Sequence, residues 1–233
     1  MKHLNIYKNE NFNYKSLTSY KNESFNMKPM TSYITEYIIK KKLDKPIDSE
    51  YKYHPQTKDE LIENIKELLY KKENDLNCID TSAITDMSFL FLNINVIIDN
   101  IDVSNWDVSN VINMEGLFNN CKKFNCDLNK WDVSNVKDMS YMFYNCGNFD
   151  CDLSNWDVSN VTNMYTMFEG CSKFKGKGLE NWDVSKVESI SYMFFDCINF
   201  DCDLSNWNVN NVKNMKRMFY NCNLKNTPKW YKE

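Results

Sequence analysis

The sequence predicts an α/β repeat fold, a short solenoid of about six 25-residue units behind a capping helix. Each unit is expected to hold one short strand and one short helical turn. Three observations predict this. Trp-Asp-Val-Ser recurs at Trp106, Trp131, Trp156 and Trp182, and a drifted copy, Trp-Asn-Val-Asn, starts at Trp207, with spacings of 25, 25, 26 and 25 residues. Trp and Val within each copy alternate with polar residues, the period of a strand buried on one side. Val136, Met139, Met142, Phe143 and Cys146 then recur at three and four, the spacing of one face of a short α or 3₁₀ turn.

Residues 1–50 differ in kind from the rest. Tyr7–Ser19 is nearly duplicated by Tyr20–Ser32, and the stretch holds 9 Lys against 6 acidic residues. Such a polar, Asn/Lys/Ser-rich segment is expected to be a tail without a core of its own, with a helix over residues 32–43 as its one candidate element. Residues 51–78 form the entry cap. Thr57-Lys-Asp-Glu60 is a capping box, and Leu61, Ile62, Ile65, Leu68 and Leu69 follow at helical spacing, so an amphipathic helix is expected over 58–72.

The array proper spans residues 79–231. It opens with a degenerate unit, Ile79-Asp-Thr-Ser-Ala-Ile84-x-x-Met87-x-x-Leu90-Phe91, and the extra residue of the 26-residue unit falls at Gly176-Lys-Gly178. A strand plus a helical turn in 25 residues is the leucine-rich-repeat format. One unit cannot bury its own apolar side, so stacking must close the core between neighbours. Thr227-Pro-Lys-Trp-Tyr231 breaks the pattern and is expected to fold over the last unit.

Composition narrows the function. The 233 residues carry a net charge of −4, which argues against sequence-independent nucleic-acid binding. No apolar run approaches the roughly 20 residues of a membrane-spanning helix, so no membrane insertion is expected, and the start lacks the apolar core of a secretion signal. With 5 Gly and 2 His, and no nucleophile, phosphate-loop or metalloprotease motif, an enzyme is not expected and no cofactor is implied.

Nine cysteines invite a metal or disulfide reading. Cys121, Cys146, Cys171, Cys197 and Cys222 share one repeat position and Cys126, Cys151 and Cys202 another, while Cys78 stands alone. Five in a column cannot all pair, and zinc favours short paired spacings with His nearby. They read as small buried hydrophobes, free thiols of a reducing compartment, with no metal. The Asp column (Asp107, Asp132, Asp157, Asp183) sits between inward Trp and Val and so faces outward. Most simply it accepts backbone amides in turns, with cation binding and partner recognition as the alternatives.

The units resemble the BspA-type leucine-rich-repeat surface proteins. Trp156 to Cys171 (Trp-Asp-Val-Ser-Asn-Val-Thr-Asn-Met-Tyr-Thr-Met-Phe-Glu-Gly-Cys) carries the likeness, as do the lead-ins His54–Leu61 and Ile79–Ser88. The resemblance covers about residues 52–231. It implies an adhesion or protein-binding solenoid, often on bacterial surfaces, with another protein or glycoprotein as partner. The thiols point toward the cytoplasm and the resemblance toward the cell surface. The candidate contact residues lie on the outward strand face: Asp107, Asp132, Asp157 and Asp183; Asn105, Lys130, Asn155, Asn181 and Asn206 before each Trp; and Ser134 and Ser159. The other reading is a structural or cation-dependent assembly module without a specific macromolecular ligand.

Overall fold

A computed structural model describes residues 51–92, 94 and 100–232. The expectations for residues 1–50 lie outside the described residues.

Helix α1 runs Lys58–Tyr70. Thr57 caps it, its Oγ1 accepting the Glu60 amide at 3.2 Å, and Glu60 reaches back to accept the Gln56 amide at 2.6 Å. The helix stops two residues short of the expected 72. Lys72 turns left-handed at φ 61°, its amide donating to the Leu69 carbonyl and that of Glu73 to Leu68, a Schellman ending. Leu61, Ile62, Ile65, Leu68 and Leu69 are buried in the same apolar cluster as the repeats.

Each repeat is a chain of tight turns rather than the expected strand and helical turn. In one unit, i→i+3 amide-to-carbonyl bonds close Leu128–Trp131, Val133–Val136, Met139–Met142, Phe143–Cys146 and Cys146–Phe149 at 2.9–3.3 Å. The first and fourth residue of a β-turn come close together, so the apolar residues at these corners all point inward. Tyr141 and Asn145, the third residues of two of these turns, have φ of 57°, which a helical turn does not allow. The only 3₁₀ helix among the described residues is Leu179–Asn181, where left-handed Gly176 and Gly178 absorb the extra residue. A Cβ on Gly178 would stand 2.3 Å from the Ser154 nitrogen, so only glycine fits there.

The expected strands are reduced to single bridged residues, and these lie past the Trp segments except for Tyr53–Ile79 at the entry and Asp75–Asp102 ahead of Trp106. Parallel bridges link Asp86, Asn113, Asp138, Asn163, Ser189 and Asn214 in succession, one per repeat. Beyond each bridge, alternate amides donate to the next repeat: Met139, Tyr141, Phe143 and Asn145 to the carbonyls of Asn163, Tyr165, Met167 and Glu169 at 2.7–3.0 Å. The Trp segments are joined by side chains instead. Each indole N–H donates back to a carbonyl of the preceding repeat: Trp106 to Leu76, Trp131 to Val103, Trp156 to Leu128, Trp182 to Leu153 and Trp207 to Leu179, at 2.8–3.3 Å. Trp230 adds a further rung by donating to Leu204 and stacking on Trp207 at 6.3 Å, so the Thr227–Tyr231 segment does fold over the last unit.

Inside, Phe118, Phe143, Phe168, Phe194 and Phe219 stack at 5.5–5.8 Å. Phe124, Phe149, Phe174 and Phe200 lie beside the first four at 3.9–4.4 Å. Offset aromatic pairs add about 0.5–1.5 kcal/mol each beyond their buried area. Rigid repeats of this kind hold their outward residues in fixed columns.

Candidate functional site

The structure brings the residues around each Trp into one polar strip. Asp107, Asp132, Asp157 and Asp183 are exposed, as are Asn105, Lys130, Asn155, Asn181 and Asn206, while Ser134 and Ser159 are half-buried. One oxygen of each Asp is committed to an Asx turn. The Oδ1 atoms of Asp107, Asp132, Asp157 and Asp183 accept the amides of Ser109, Ser134, Ser159 and Ser185 at 3.0–3.1 Å. The Ser134 hydroxyl and amide hold the Asp132 carboxyl below its usual range, and Ser185 does the same for Asp183. Lys130 is drawn to its neighbour, donating to the Asn105 side chain at 3.0 Å.

Two further Asx columns escaped sequence reasoning. Asp102, Asp127, Asp152 and Asp203 accept the amide two residues on, and so do Asp86, Asn113, Asp138, Asn163 and Asn214. Their signal was present as Asp or Asn at fixed repeat positions. The Asn column adds a ladder, with Asn110, Asn135, Asn160 and Asn211 donating to the carbonyls of Ser82, Ser109, Ser134 and Ser185 at 2.5–2.9 Å.

All nine cysteines are free. The Sγ atoms of Cys146, Cys171, Cys197 and Cys222 donate to the carbonyls of Phe118, Phe143, Phe168 and Phe194 at 2.7–3.0 Å, bonding each repeat to the one before. Burial pushes the Cys121 thiol up to about 12 and those of Cys146, Cys171 and Cys197 well above their ordinary value. Among the described residues, no group of three or more His, Cys, Asp and Glu is placed to hold a metal ion. A shallow groove of about 430 Å³ is lined by Ser82, Ala83, Thr85, Asn110, Ile112, Asn135 and Lys137, and Lys137 is the only titratable side chain in that lining.

The turn side of the stack carries a second strip. Phe89, Tyr141, Tyr144, Tyr165, Tyr192 and Phe195 are half-buried on it, and Tyr220 is 53% exposed. Their rings touch across repeats: Tyr141 meets Tyr165 edge-on at 5.1 Å, Tyr165 meets Tyr192 at 6.0 Å, and Phe195 stacks on Tyr220 at 4.8 Å. Large and small residues alternate in two adjacent columns. Phe89, Gly116, Tyr141, Thr166 and Tyr192 form one; Ser88, Glu115, Ser140, Tyr165 and Ser191 form the other. A ring from one repeat covers the small residue of the next, as Phe89 covers Gly116, where a Cβ would stand 2.3 Å from the ring.

Carboxylates flank these rings except at Tyr220, where the Arg217 guanidinium lies 5.8 Å from the ring centre. Burial raises Glu115, with Asp138 and Asp86 adding to the effect, and burial also raises Glu169, helped by Asp196. Burial, the Tyr165 hydroxyl and the nearby Glu115 and Glu169 push the Tyr141 hydroxyl up to about 12. The strip is therefore apolar, acid-rimmed and partly desolvated. Sequence reasoning missed it because its residues share no single repeat position. The available signal was the opposite one, of outward positions that change from unit to unit.

The family model described as "Mycoplasma protein of unknown function, DUF285" matches residues 60–178 and again 147–231. The chain belongs to this family. The two DUF285 matches overlap within the repeat array and together take in most of α1, so the family pattern covers both strips and the indole ladder. Comparison with curated proteins and with solved structures gives no match. No helix among the described residues is long and apolar enough to cross a membrane.

Proposed function

We propose that this DUF285 chain is a non-enzymatic protein-binding module of the adhesion type, a leucine-rich-repeat solenoid of the BspA kind. Its partner, a protein or glycoprotein, meets the outward surface of the repeats. The half-exposed aromatic strip carries this reading. Interface cores are enriched in Tyr and Phe, and the residues that dominate binding are large, rigid and partly desolvated. Seven aromatic side chains along one side supply that kind of surface, and the carboxylates around them favour a partner bearing Lys or Arg. The Asp strip is the second contact surface, because one oxygen of each Asp stays clear of the turn it caps.

Site-specific photo-cross-linking tests this reading. A photoreactive phenylalanine analogue at Tyr165 should capture one defined protein in the native cell, and the same probe at Lys122 should not. Capture from Lys122 alone, or none from either position, would contradict it.

A further inference from the structure

Most of the backbone bonds that join the repeats run one way, with one amide per repeat (Lys137, Thr162, Glu188 and Lys213) donating backward, and the last repeat leaves its forward donors unused. Four amides per repeat donate forward: Met164, Thr166, Phe168 and Gly170 to Ser189, Ser191, Met193 and Phe195, then Ile190, Tyr192, Phe194 and Asp196 to Asn214, Lys216, Met218 and Tyr220, all at 2.8–3.0 Å. The equivalent amides of the last repeat belong to Met215, Arg217, Phe219 and Asn221, and among the described residues none of the four donates a hydrogen bond. Aligned peptides add their dipoles, so this edge is the positive end of the stack, as a row of free N–H groups is at a helix start. At the opposite end, Lys58 of α1 stands against the first repeat, 3.5 Å from Asp86 and bonded to Ser88.

Side-chain charge reinforces the edge. Residues 207–232 contain six Lys and Arg and no Asp or Glu, whereas residues 51–206 contain 13 basic and 25 acidic residues. The drift of the last unit, with Asn208 in the Asp column and Lys216-Arg217 past the bridge, removes acid and adds base. Apolar surface lies beside the donors. Val212, Met215 and Phe219 are half-buried, the last with Tyr231 at 5.1 Å and Trp230 at 6.3 Å against its ring, although their counterparts Val187, Ile190 and Phe194 are fully buried by the repeat that follows them.

We infer that the outer edge of the last repeat docks an acidic, partly apolar peptide segment of a partner protein, added as one more rung. The four amides donate to its backbone carbonyls, as they would to those of a following repeat, which is recognition by edge addition. Lys216 and Arg217 meet its carboxylates, and Val212, Met215 and Phe219 its apolar side chains. A polyphosphate ligand would satisfy the donors and cations but leave the apolar residues bare. A second copy of this chain would have to displace α1 to offer its own first repeat. This edge adjoins the aromatic strip at Tyr220, whose ring lies 5.8 Å from the Arg217 guanidinium, and exchange at the four edge amides reads the edge alone.

The probe is an acetylated peptide, Val-Glu-Ser-Ile-Ser-Tyr-Met-Phe-Phe-Asp-Ser-Ile, the chain's own residues 187–198 with Cys197→Ser. Amide exchange is followed by NMR on the full chain. Binding should slow exchange at Met215, Arg217, Phe219 and Asn221 by about tenfold or more while leaving interior repeats unchanged. The same peptide with Glu188→Lys and Asp196→Lys should bind about tenfold more weakly, and Lys216→Glu with Arg217→Glu in the protein should have a matching effect. Several results would overturn the inference: no binding, binding that leaves these four amides unprotected, equal binding of the two peptides, or equal protection by inorganic phosphate alone. Protection that grows with protein concentration without peptide would also overturn it, since the occupant would then be a second copy.

Discussion

Trp156→Phe probes the bond that joins the Trp segments. Trp156 is 4% exposed, donates its indole N–H to the Leu128 carbonyl at 3.1 Å and stacks on Trp182 at 6.3 Å. Phenylalanine keeps most of the stacking but removes the donor. The Leu128 carbonyl keeps the Trp131 amide, so losing the indole bond costs about 0.5–1.5 kcal/mol, and the smaller ring leaves a void that adds about 1 kcal/mol more, so the total is about 1.5–2.5 kcal/mol. At about 2–4 °C per kcal/mol for a chain of this length, the melting temperature should fall by roughly 3–10 °C. Trp156→Ala should cost about 3–5 kcal/mol. The internal control is Trp230→Phe. That indole is half-buried and has a repeat on one side only, so its loss should cost less than half as much. Urea denaturation followed by circular dichroism measures all three. A Trp156→Phe change below about 0.5 kcal/mol, or equal losses at Trp156 and Trp230, would refute the reasoning.

Three further predictions concern the polar columns and the thiols. Asp132, Asp157 and Asp183 changed together to Asn should leave the melting temperature within about 2 °C, because Asn208 already caps the equivalent turn by accepting the Asn210 amide at 3.3 Å. Changed to Ala they should lose about 0.5–1.5 kcal/mol each, and comparable melting of the two triple variants would remove the Asx turns from the account. Alkylation at pH 8 should leave the eight thiols of the two repeat columns essentially unlabelled in the folded chain and all nine labelled in urea, since burial holds even half-exposed Cys126 at about 11 and Cys202 at about 12; rapid native labelling of Cys146 or Cys171 would contradict the thiol ladder. For pH, Lys177 and then Ser154 lower the Asp152 carboxyl to about 2, and Ser205 lowers Asp203. Depressed carboxyl values add stability that is full above the unfolded value near 4 and is lost as pH falls through the folded value. The melting temperature should therefore drop between about pH 4 and 2, and a rise across that window would contradict the assignment.

Much of this was legible in the sequence because stacking imposes the same environment every 25 residues. The inward Trp, Val, Met and Phe columns and the Asp column between them followed directly from the repeat, and the capping box placed α1. What the spacing hid was the backbone. Met139 with Met142, or Phe143 with Cys146, lie three apart in a helical turn and in a β-turn alike, so apolar periodicity cannot separate the two. The discriminating signal was the column of Asn120, Asn145, Gly170, Asp196 and Asn221, residue types that accept the left-handed conformation observed at all five. Tyr141 and Thr166 adopt the same conformation with no such signal, because bonds to the neighbouring repeats fix them. The aromatic strip was hidden for a related reason. Reading the repeats as columns averages Tyr141 with Thr166, and Tyr165 with Ser140, whereas the surface combines the large member of each pair.

The most direct test of the binding claim is a titration of the partner captured at Tyr165, once purified, against the full chain and against Tyr141→Asn, Tyr165→Ser and Tyr192→Asn combined. Asn tolerates the positive φ of 57° at Tyr141 and Tyr192, and Ser already fills the Tyr165 position in the adjacent repeats as Ser140 and Ser191, so the variant should fold. Loss of three partly desolvated rings should weaken binding by about 100-fold or more, at about 1 kcal/mol or more per ring, with melting little changed. Unchanged affinity in a folded variant would contradict the account.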